Sequence, residues 1–575
     1  MFVYYGIKIF RLLILLFSLY GWYYYLAVCK KIKDEFVPSI IIFIIGSIMF
    51  FSGILNILEL SSVIICATGC GFALLSCIKR INPIRLISPA ICFLILASII
   101  LIFYLYGRKF TGIDSFHHWA TVVYSILDNG RFPNFKDALI IFQSYPVGSA
   151  SFIYYICNII SIRSEWMLMY IQAVAIVSCL LPLFAFAKNT LYRLISAGVI
   201  VFFIMGANTS LADLSVDTLL PAVAASGILF CIYYGRNLSV YHWVLIFNAI
   251  FLVSIKNSGW FFAVILIVIA VTKLKSNWKK LVGIVLSPVM TFLLWQRHVA
   301  LVFDNGLMTK HSLTISNFEN SLQGKTVSDV CEISLLYIKK VISFDNSFVF
   351  YIVLGIIVYV ATKNISKTFA VFKKTVISVA FIYILYHISL LATYVFSMPL
   401  SEALKLASYE RYHMSILIYI LLITLPSVMQ IECHSLQKKV IFTFTLIILS
   451  FLILKPYSEE YSRFPINWKN SERYKCEKVA KEGDLPKHSS YIILHETVQI
   501  YPLSFYQYFY LQSNQIKAYY LNATGSYPGL DAIGDTWKNY EYLIVYDDSK
   551  EIWDFVHNSL GIDSNDNVIL LEEWK

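Results

Sequence analysis

The chain has 575 residues, of which 58% are hydrophobic and only 14% are charged, and its formal net charge is +11 at pH 7. Water-soluble domains carry nearer to a quarter of charged residues, so this composition excludes a soluble globular protein and predicts a polytopic membrane protein. The basic residues gather in short connections between apolar runs. This distribution indicates membrane topology and argues against a nucleic-acid partner.

Apolar runs of about 20 residues, the length that crosses a bilayer, predict about fourteen transmembrane helices. They lie near residues 5–28, 37–56, 60–77, 87–107, 166–187, 194–208, 217–234, 240–255, 259–273, 281–301, 346–362, 375–397, 414–430 and 440–455. A shorter run at 147–161 predicts an interfacial or re-entrant helix. No cleavable signal peptide is expected, because the first run continues to about Cys29 without a small-residue cleavage motif.

The basic residues also predict an orientation. Every connection expected to face the cytoplasm carries Lys or Arg, as at Lys30, Lys79 and Lys273. By the positive-inside rule, both termini and the long loop 108–148 then lie outside. The same alternation supports a non-spanning run at 147–161, since a full crossing there would reverse every later assignment.

Three parts are expected along the chain. Residues 1–86 are additional N-terminal membrane helices, residues 87–455 form the main transmembrane module, and residues 456–575 form a small soluble extracytoplasmic α/β domain. Short β-rich runs at 491–496, 542–548 and 568–574, with polar and helix-like segments between them, indicate this last domain. Cys331 and Cys476 lie in predicted outer regions, where a disulfide would persist, and their pairing is left open.

The most informative motif is TGIDSFHHWA, in the first outer loop. Asp114, His117 and His118 share one face if the segment is helical. A carboxylate there would accept a proton from an incoming hydroxyl, or hold a cation with help from imidazole. The alternative is that Asp114 caps the amphipathic helix that follows it.

Further charged candidates lie at predicted outer boundaries of membrane helices. Lys256, in SIKNSGW, would meet a lipid phosphate or reach the interface by snorkelling. Arg411, with Tyr409 beside it in SYERYH, would bind phosphate through its guanidinium fork or serve as a solvated loop charge. Asp213 and Asp217 lie four residues apart on a predicted helical face, where they would hold a metal, contact sugar hydroxyls or cap a helix. Arg131, in NGRFPN, would reach a phosphate from a turn.

The order of these features resembles the GT-C superfamily of membrane glycosyltransferases, which includes protein mannosyltransferases and bacterial aminoarabinose transferases. Asp114 matches the acid that those enzymes carry in their first large outer loop, and Tyr145-Pro146 matches the start of their juxtamembrane helix. The resemblance implies a polyprenyl-phosphate-sugar donor, an acid that activates the acceptor, and cationic donor contacts at Lys256 and Arg411. Many relatives have a second acid where this chain has Ser115, so a divalent metal remains an open question.

The resulting expectation is an inverting glycosyltransferase in the cell membrane. It would move a sugar from a polyprenyl-phosphate donor to a glycan, lipid or protein acceptor at the outer face. The candidate residues are Asp114 as base, with substrate contacts from His117, His118, Arg131, Tyr145, Asp213, Asp217, Lys256, Tyr409 and Arg411. The alternatives are a polysaccharide polymerase or ligase that uses a lipid-diphosphate-linked glycan, a lipid-linked glycan transporter, and a non-catalytic scaffold.

Overall fold

The computed structural model describes residues 2–82, 88–110, 112, 114–137, 140, 142–188, 190–206, 211–274, 277–303, 315–343, 355, 368–429, 471–524 and 527–575. The chain is mostly helical and divides into two compact units. Unit 1 comprises Met1–Gly107, Ser125–Phe132 and Phe142–Ser462. Unit 2 comprises Arg108–Tyr124, Pro133–Ile141 and Arg463–Lys575. Much of the predicted outer loop 108–148 therefore belongs to the same unit as the C-terminal tail.

Unit 1 is built from helices only, within the described residues. They are α1 (Phe2–Tyr24), α2 (Val37–Ile54), α3 (Leu58–Ile78), α4 (Pro89–Leu105), α5 (Ala120–Asn129, which begins in unit 2), α6 (Gly148–Ile160), α7 (Glu165–Leu180), α8 (Thr190–Gly206), α9 (Leu219–Tyr234), α10 (His242–Ile255), α11 (Gly259–Lys273), α12 (Trp278–Val302), α13 (Ile315–Gln323), α14 (Val327–Ile342), α15 (Thr368–Phe396), α16 (Leu400–Leu404) and α17 (Tyr409–Met429).

Six helical segments among the described residues are long and apolar enough to cross a membrane. They are Gly6–Cys29, Asp34–Ile54, Leu58–Ile78, Glu165–Phe186, Trp278–Val302 and Lys374–Phe396. Five shorter apolar helices, α4, α6, α9, α10 and α11, accompany them. The helical membrane-protein class predicted from composition is confirmed, whereas the described residues do not reach fourteen spans. Most of the predicted span at 346–362 and all of the one at 440–455 lie outside the described residues.

Helix α2 lies at the centre of unit 1. Its sequence is apolar on every side, the pattern of a helix that lies in a protein core or in a membrane. Nearly all of its side chains are buried, and it packs against α3, α6, α7 and α10. The short helix α6 is likewise mostly buried along its length. An interfacial helix would expose one face, so this burial favours the re-entrant interpretation of 147–161 over the interfacial one.

Unit 2 contains a four-stranded sheet with the order β2-β1-β3-β4. The strands are β1 (Tyr491–Thr497), β2 (Ile516–Asn522), β3 (Tyr542–Val545) and β4 (Val568–Leu570). β1 pairs in parallel with β2 and β3, and β4 pairs antiparallel to β3. The helices α18 (Glu472–Glu482), α19 (Ile500–Phe505) and α20 (Lys550–Asn558) complete the unit. Ile552 and Val556 of α20 share one buried core with Leu494 and Leu543.

The buried side chain of Arg473, in α18, joins the loop segment of unit 2 to its C-terminal part. Its Nη1 donates to the Phe110 carbonyl at 2.5 Å, and its Nε donates to the Tyr510 hydroxyl at 3.1 Å. The guanidinium also lies over the rings of Phe116 and Phe509, at 5.2 and 4.8 Å from their centroids. Hydrogen bonds and aromatic faces together compensate the burial of this charge. The cysteine pairing left open by sequence is absent, since Cys331 and Cys476 are both free thiols.

Asp547 follows β3 and gathers several donors. It accepts hydrogen bonds from Lys475 Nζ at 3.0 Å and from the Glu496 backbone N–H at 2.9 Å, and His495 Nδ1 lies 3.7 Å away. Burial alone would raise the pKa of Asp547, but the contacts with His495, Glu496 and Lys475 hold it well below its usual range. The ionised carboxylate therefore stabilises the folded unit.

The depressed pKa predicts a pH-dependent loss of stability in unit 2. An unfolded Asp has a pKa of about 3.9. The contribution of Asp547 to the free energy of unfolding is therefore complete above that pH and falls as the pH drops toward the folded pKa. We expect Asp547→Asn to cost about 1–3 kcal/mol at pH 6. Rate-corrected hydrogen exchange of β1 and β3 in the full chain measures the difference in stability between the variant and the wild type. This difference should become smaller below about pH 4. The exposed Asp554→Asn, in the same unit, is the matched control and should leave this exchange unchanged at pH 6. A constant difference down to pH 3 would contradict the assignment.

Candidate functional site

Two buried charges and one half-exposed charge meet in unit 1. They belong to Asp217, Lys256 and Arg411, hereafter the charge cluster. Lys256 Nζ donates to Asp217 Oδ1 at 2.8 Å, and Arg411 Nε lies 3.7 Å from Asp217 Oδ2. Asp217 and Lys256 are each only 8% exposed. Two cations thus share one carboxylate, which leaves the three side chains with a net positive charge.

Helix ends bring these residues together. Asp217 comes just before α9, Lys256 directly follows α10 in extended backbone, and Arg411 lies in the first turn of α17. The Ser415 hydroxyl donates to the Asp217 carbonyl at 2.7 Å, which links α17 to the segment before α9. Gln172 of α7 donates to the Ser215 carbonyl at 2.9 Å. These bonds fix the irregular segment that carries Asp217.

Two tyrosines border the charge cluster. The Tyr412 ring lies 5.0 Å from Lys256 Nζ and 6.0 Å from Arg411 Cζ, and the Tyr386 hydroxyl donates to the Tyr412 carbonyl at 2.8 Å. Burial raises the pKa of Tyr145, which also interacts electrostatically with Tyr412, Lys256, Asp217 and Glu402. The Tyr145 phenol therefore stays protonated at neutral pH and remains able to donate a hydrogen bond.

The segment containing Tyr145 is positioned by close packing. Trp295 Nε1 donates to the Ser144 carbonyl at 2.9 Å. Gly148 faces Ser254, two residues before Lys256, and a Cβ at position 148 would lie 2.3 Å from Ser254 Oγ. Only glycine permits this approach between α6 and the end of α10. The Tyr145-Pro146 motif is thus held beside Lys256.

Lys256 and Arg411 differ in what they offer a ligand. Burial alone would lower the pKa of Lys256, but the Asp217 carboxylate outweighs that penalty and raises it, so the ammonium stays charged. Its closest acceptor is already Asp217. The Arg411 side chain, by contrast, is 40% exposed, and its Nη2 donates to Ser408 Oγ at 3.0 Å. The arrangement suits an anion that approaches the guanidinium while Lys256 maintains the positive potential.

No protein-family model, curated protein or solved structure matches the chain.

The charge cluster therefore unites three of the residues predicted from sequence, Asp217, Lys256 and Arg411, with Tyr145 alongside. The helical face predicted for Asp213 and Asp217 is wrong, because residues 212–218 form an irregular segment and α9 begins at Leu219. Asp213 Oδ1 instead accepts from the Leu214 N–H at 2.5 Å. Side chains of Ser, Asp and Thr bond to nearby backbone, which competes with helix formation in this stretch.

Tyr409 lies in a different setting from the one predicted. It is 4% exposed and stacks on His413 with ring centroids 5.5 Å apart. His413 in turn contacts Tyr383, whose hydroxyl lies 3.2 Å from its Nε2, and His387 bonds to Tyr337 at 2.7 Å. The residue belongs to a buried aromatic and histidine group among α14, α15 and α17. Its burial supports packing more directly than substrate contact.

The other predicted residues fall in two places. Arg131 lies in unit 1, where its Nη1 donates to the Phe132 carbonyl at 2.9 Å. Asp114 lies in unit 2, before a π-helical turn, Ser115–Trp119, that leads into α5. Its backbone is already helical and its side chain makes no capping hydrogen bond, so the capping alternative is wrong.

The two histidines of the motif have separate surroundings within unit 2. His117 is half-buried, with Nε2 3.0 Å from Ser504 Oγ and its ring against Tyr508. His118 is 2% exposed and packs edge-on against Trp119. No group of three or more His, Cys, Asp or Glu side chains that would hold a metal occurs among the described residues. The residues described here thus do not fit a protein-held divalent metal.

Sequence reasoning missed the supporting residues of the charge cluster, Ser415, Gln172, Tyr386 and Tyr412. Tyr412 directly follows Arg411, and this adjacency was the one local signal for it. Ser415, Gln172 and Tyr386 act through contacts with residues at least 26 positions away along the chain, which no local pattern indicates.

Proposed function

We propose that the protein is an inverting membrane glycosyltransferase of the GT-C type, with a polyprenyl-phosphate-linked sugar as donor and a glycan, lipid or protein as acceptor. The charge cluster carries this proposal. Ionisable side chains buried in a membrane helical unit are costly and are retained mainly for function. A cluster with an excess positive charge and one exposed guanidinium has the chemistry to receive the phosphate of a lipid-linked sugar.

In the proposed reaction, the acceptor hydroxyl oxygen bonds to the anomeric carbon while the bond from that carbon to the phosphate oxygen breaks. The hydroxyl proton passes to a base, for which the resemblance to GT-C enzymes proposes Asp114, and the lipid phosphate leaves with the bonding electrons. Arg411 contacts the developing charge on the phosphate, while Lys256, held by Asp217, supplies positive potential. Charge stabilisation of a leaving group in a preorganised site is worth several kcal/mol.

The proposal includes the topology expected from the basic residues. Fourteen spans, with residues 108–148 and 456–575 on the extracytoplasmic side, would expose the site to donor and acceptor in the outer leaflet. Cysteine accessibility labelling tests this orientation in intact cells. Exposed Cys331, expected outside, should react with a membrane-impermeant maleimide, whereas exposed Cys29, next to Lys30, should react only after permeabilisation.

Loss of the exposed guanidinium should weaken donor binding. We expect Arg411→Gln to raise the KM for a polyprenyl-phosphate-sugar about tenfold, since one charge-assisted hydrogen bond is worth about 1.5–3 kcal/mol. Transfer by the purified full chain in nanodiscs measures this effect. Lys405→Gln, an exposed cation in the same segment, is the matched control and should leave KM unchanged. Equal effects of both variants would mean that Arg411 contributes only general surface charge.

A polymerase or ligase would use a lipid-diphosphate-linked glycan and depend on Arg411 together with His413. His413 is 5% exposed and contacts Tyr383, which disfavours direct substrate contact. Glycan mass spectrometry after gene deletion separates the two reactions. Loss of a single sugar supports the transferase, whereas loss of whole repeating units supports the polymerase or ligase.

A further inference from the structure

A second candidate site lies elsewhere in unit 1, at the turn between α2 and α3. A cavity of about 600 Å³ opens there, within the size range of ligand pockets. Its wall combines this turn with the residues that follow α5. The residues that decide its chemistry are Asn56, Glu59, Leu60, Val63, Asn129 and Arg131.

The cavity has one polar side and one apolar side. Asn56, Asn129 and Arg131 supply amide and guanidinium donors, and Glu59 supplies a carboxylate acceptor. Leu60 and Val63 are 58% and 55% exposed on the candidate membrane span Leu58–Ile78. Apolar side chains that are exposed on a membrane helix face lipid chains. A ligand that satisfies both sides therefore has a polar head and an acyl tail.

The polar side is preformed. Phe132, next to Arg131, is 3% exposed and packs against Phe50 and Trp295, with ring centroids 6.0 and 6.1 Å apart. Its ring also covers Gly53, where a Cβ would lie only 2.0 Å from Phe132 Cζ. The Ile57 N–H donates to the Ser52 carbonyl at 2.9 Å and closes the turn. A site that is already ordered loses less entropy when a ligand binds.

The charges on the wall select the kind of head group. Among the described lining residues, Arg131 is the one cation and Glu59 the one carboxylate, so their charges cancel. An anionic phosphate head group would face the Glu59 carboxylate, which costs binding energy. Sugar hydroxyls both donate and accept, and they match the combination of carboxylate, guanidinium and two amides. We propose that this cavity binds the uncharged sugar head group of a membrane glycolipid, with its acyl chains along Leu60 and Val63.

Native mass spectrometry of the purified full chain, in a detergent without a sugar head group, tests the proposal. The probes are monoglucosyl-diacylglycerol, phosphatidylglycerol and diacylglycerol with identical acyl chains. We expect the glucosyl lipid to bind best to the wild-type protein. Glu59→Gln and Arg131→Gln should each weaken its binding about tenfold, because each removes a hydrogen bond from a charged group. No sugar donor is present, so the result is independent of the proposed transfer reaction.

Arg163→Gln is the matched control. Arg163 forms an exposed ion pair with Asp128 at 2.8 Å and is not part of the cavity wall, so its loss should leave binding unchanged. The comparison of the three lipids uses wild-type protein and does not depend on the folding of any variant. Equal or tighter binding of phosphatidylglycerol, or of diacylglycerol without a sugar, overturns the proposal. Glucosyl-lipid binding that both cavity variants retain in full overturns it as well.

Discussion

Asp114→Asn should reduce sugar transfer by about 10²- to 10⁴-fold, the range for loss of a general base. Asparagine preserves the size of the side chain but cannot accept the proton of an acceptor hydroxyl at neutral pH. Because asparagine keeps that size and its amide oxygen still accepts hydrogen bonds, the substitution should leave the fold of unit 2 intact. Transfer by the purified full chain, with a defined polyprenyl-phosphate-sugar and excess acceptor, measures the loss in kcat.

The exposed Asp531→Asn, in the same unit, is the control for a general loss of negative charge and should retain full transfer. Hydrogen exchange of the segment from Ser115 to Asn129 should be the same in the Asp114 variant and the wild type. Transfer that persists in Asp114→Asn with purified donor would remove Asp114 from the mechanism. A variant with full activity but altered exchange would instead assign Asp114 a structural role.

Composition and run length predicted the membrane class correctly, because the thickness of the hydrocarbon core directly sets the length of an apolar helix. The strands β1, β3 and β4 were also predicted, with boundaries a few residues too long for β3 and β4. β2 was missed. Its sequence, IKAYYLN, lies at the edge of the sheet and buries only its three central residues, so its pattern is weaker than that of the central β1.

The charge cluster shows which features local sequence patterns predict and which they do not. Lys256 and Arg411 were found because a cation beside an apolar run is conspicuous in any membrane sequence. Asp217 was also a candidate, but its pairing with these two cations was not predictable. It is 39 residues from Lys256 and was interpreted as one half of a helical pair with Asp213. The spacing of four is compatible with a helix but does not create one. Tertiary packing of α9, α10 and α17 decides the contact instead.

The same limit applies to unit 2. The outer loop and the C-terminal tail were predicted as separate parts, because each has its own composition. In the structure, Arg473 bonds to Phe110 across 363 positions of sequence, and Phe116 packs on Phe505 and Phe509. Asp114 therefore lies in a segment that the C-terminal part of the chain helps to order. The structure around the motif that contains Asp114 thus depends on C-terminal residues, which the sequence of the loop alone does not indicate.

Asp217→Asn should be among the most destabilising single substitutions in unit 1. It leaves the Lys256 ammonium, which is 8% exposed, without a full counter-charge, and removal of one partner from a buried pair costs about 3–5 kcal/mol. Arg411→Gln should cost about 1 kcal/mol or less, because its side chain is 40% exposed and its ion pair is long. Unfolding of the purified full chain by SDS titration compares the two variants.

The double variant Asp217→Leu/Lys256→Met separates stability from function. It removes both buried charges and fills the space with apolar side chains of similar volume, so stability should return to within about 1–2 kcal/mol of the wild type. Sugar transfer should fall, because Arg411 loses the Asp217 carboxylate that lies 3.7 Å from its Nε, although the net charge of the cluster is unchanged. A double variant that is stable and fully active would show that the pair serves the fold only. A wild-type-like Asp217→Asn would mean that Lys256 loses its charge or reaches water without Asp217.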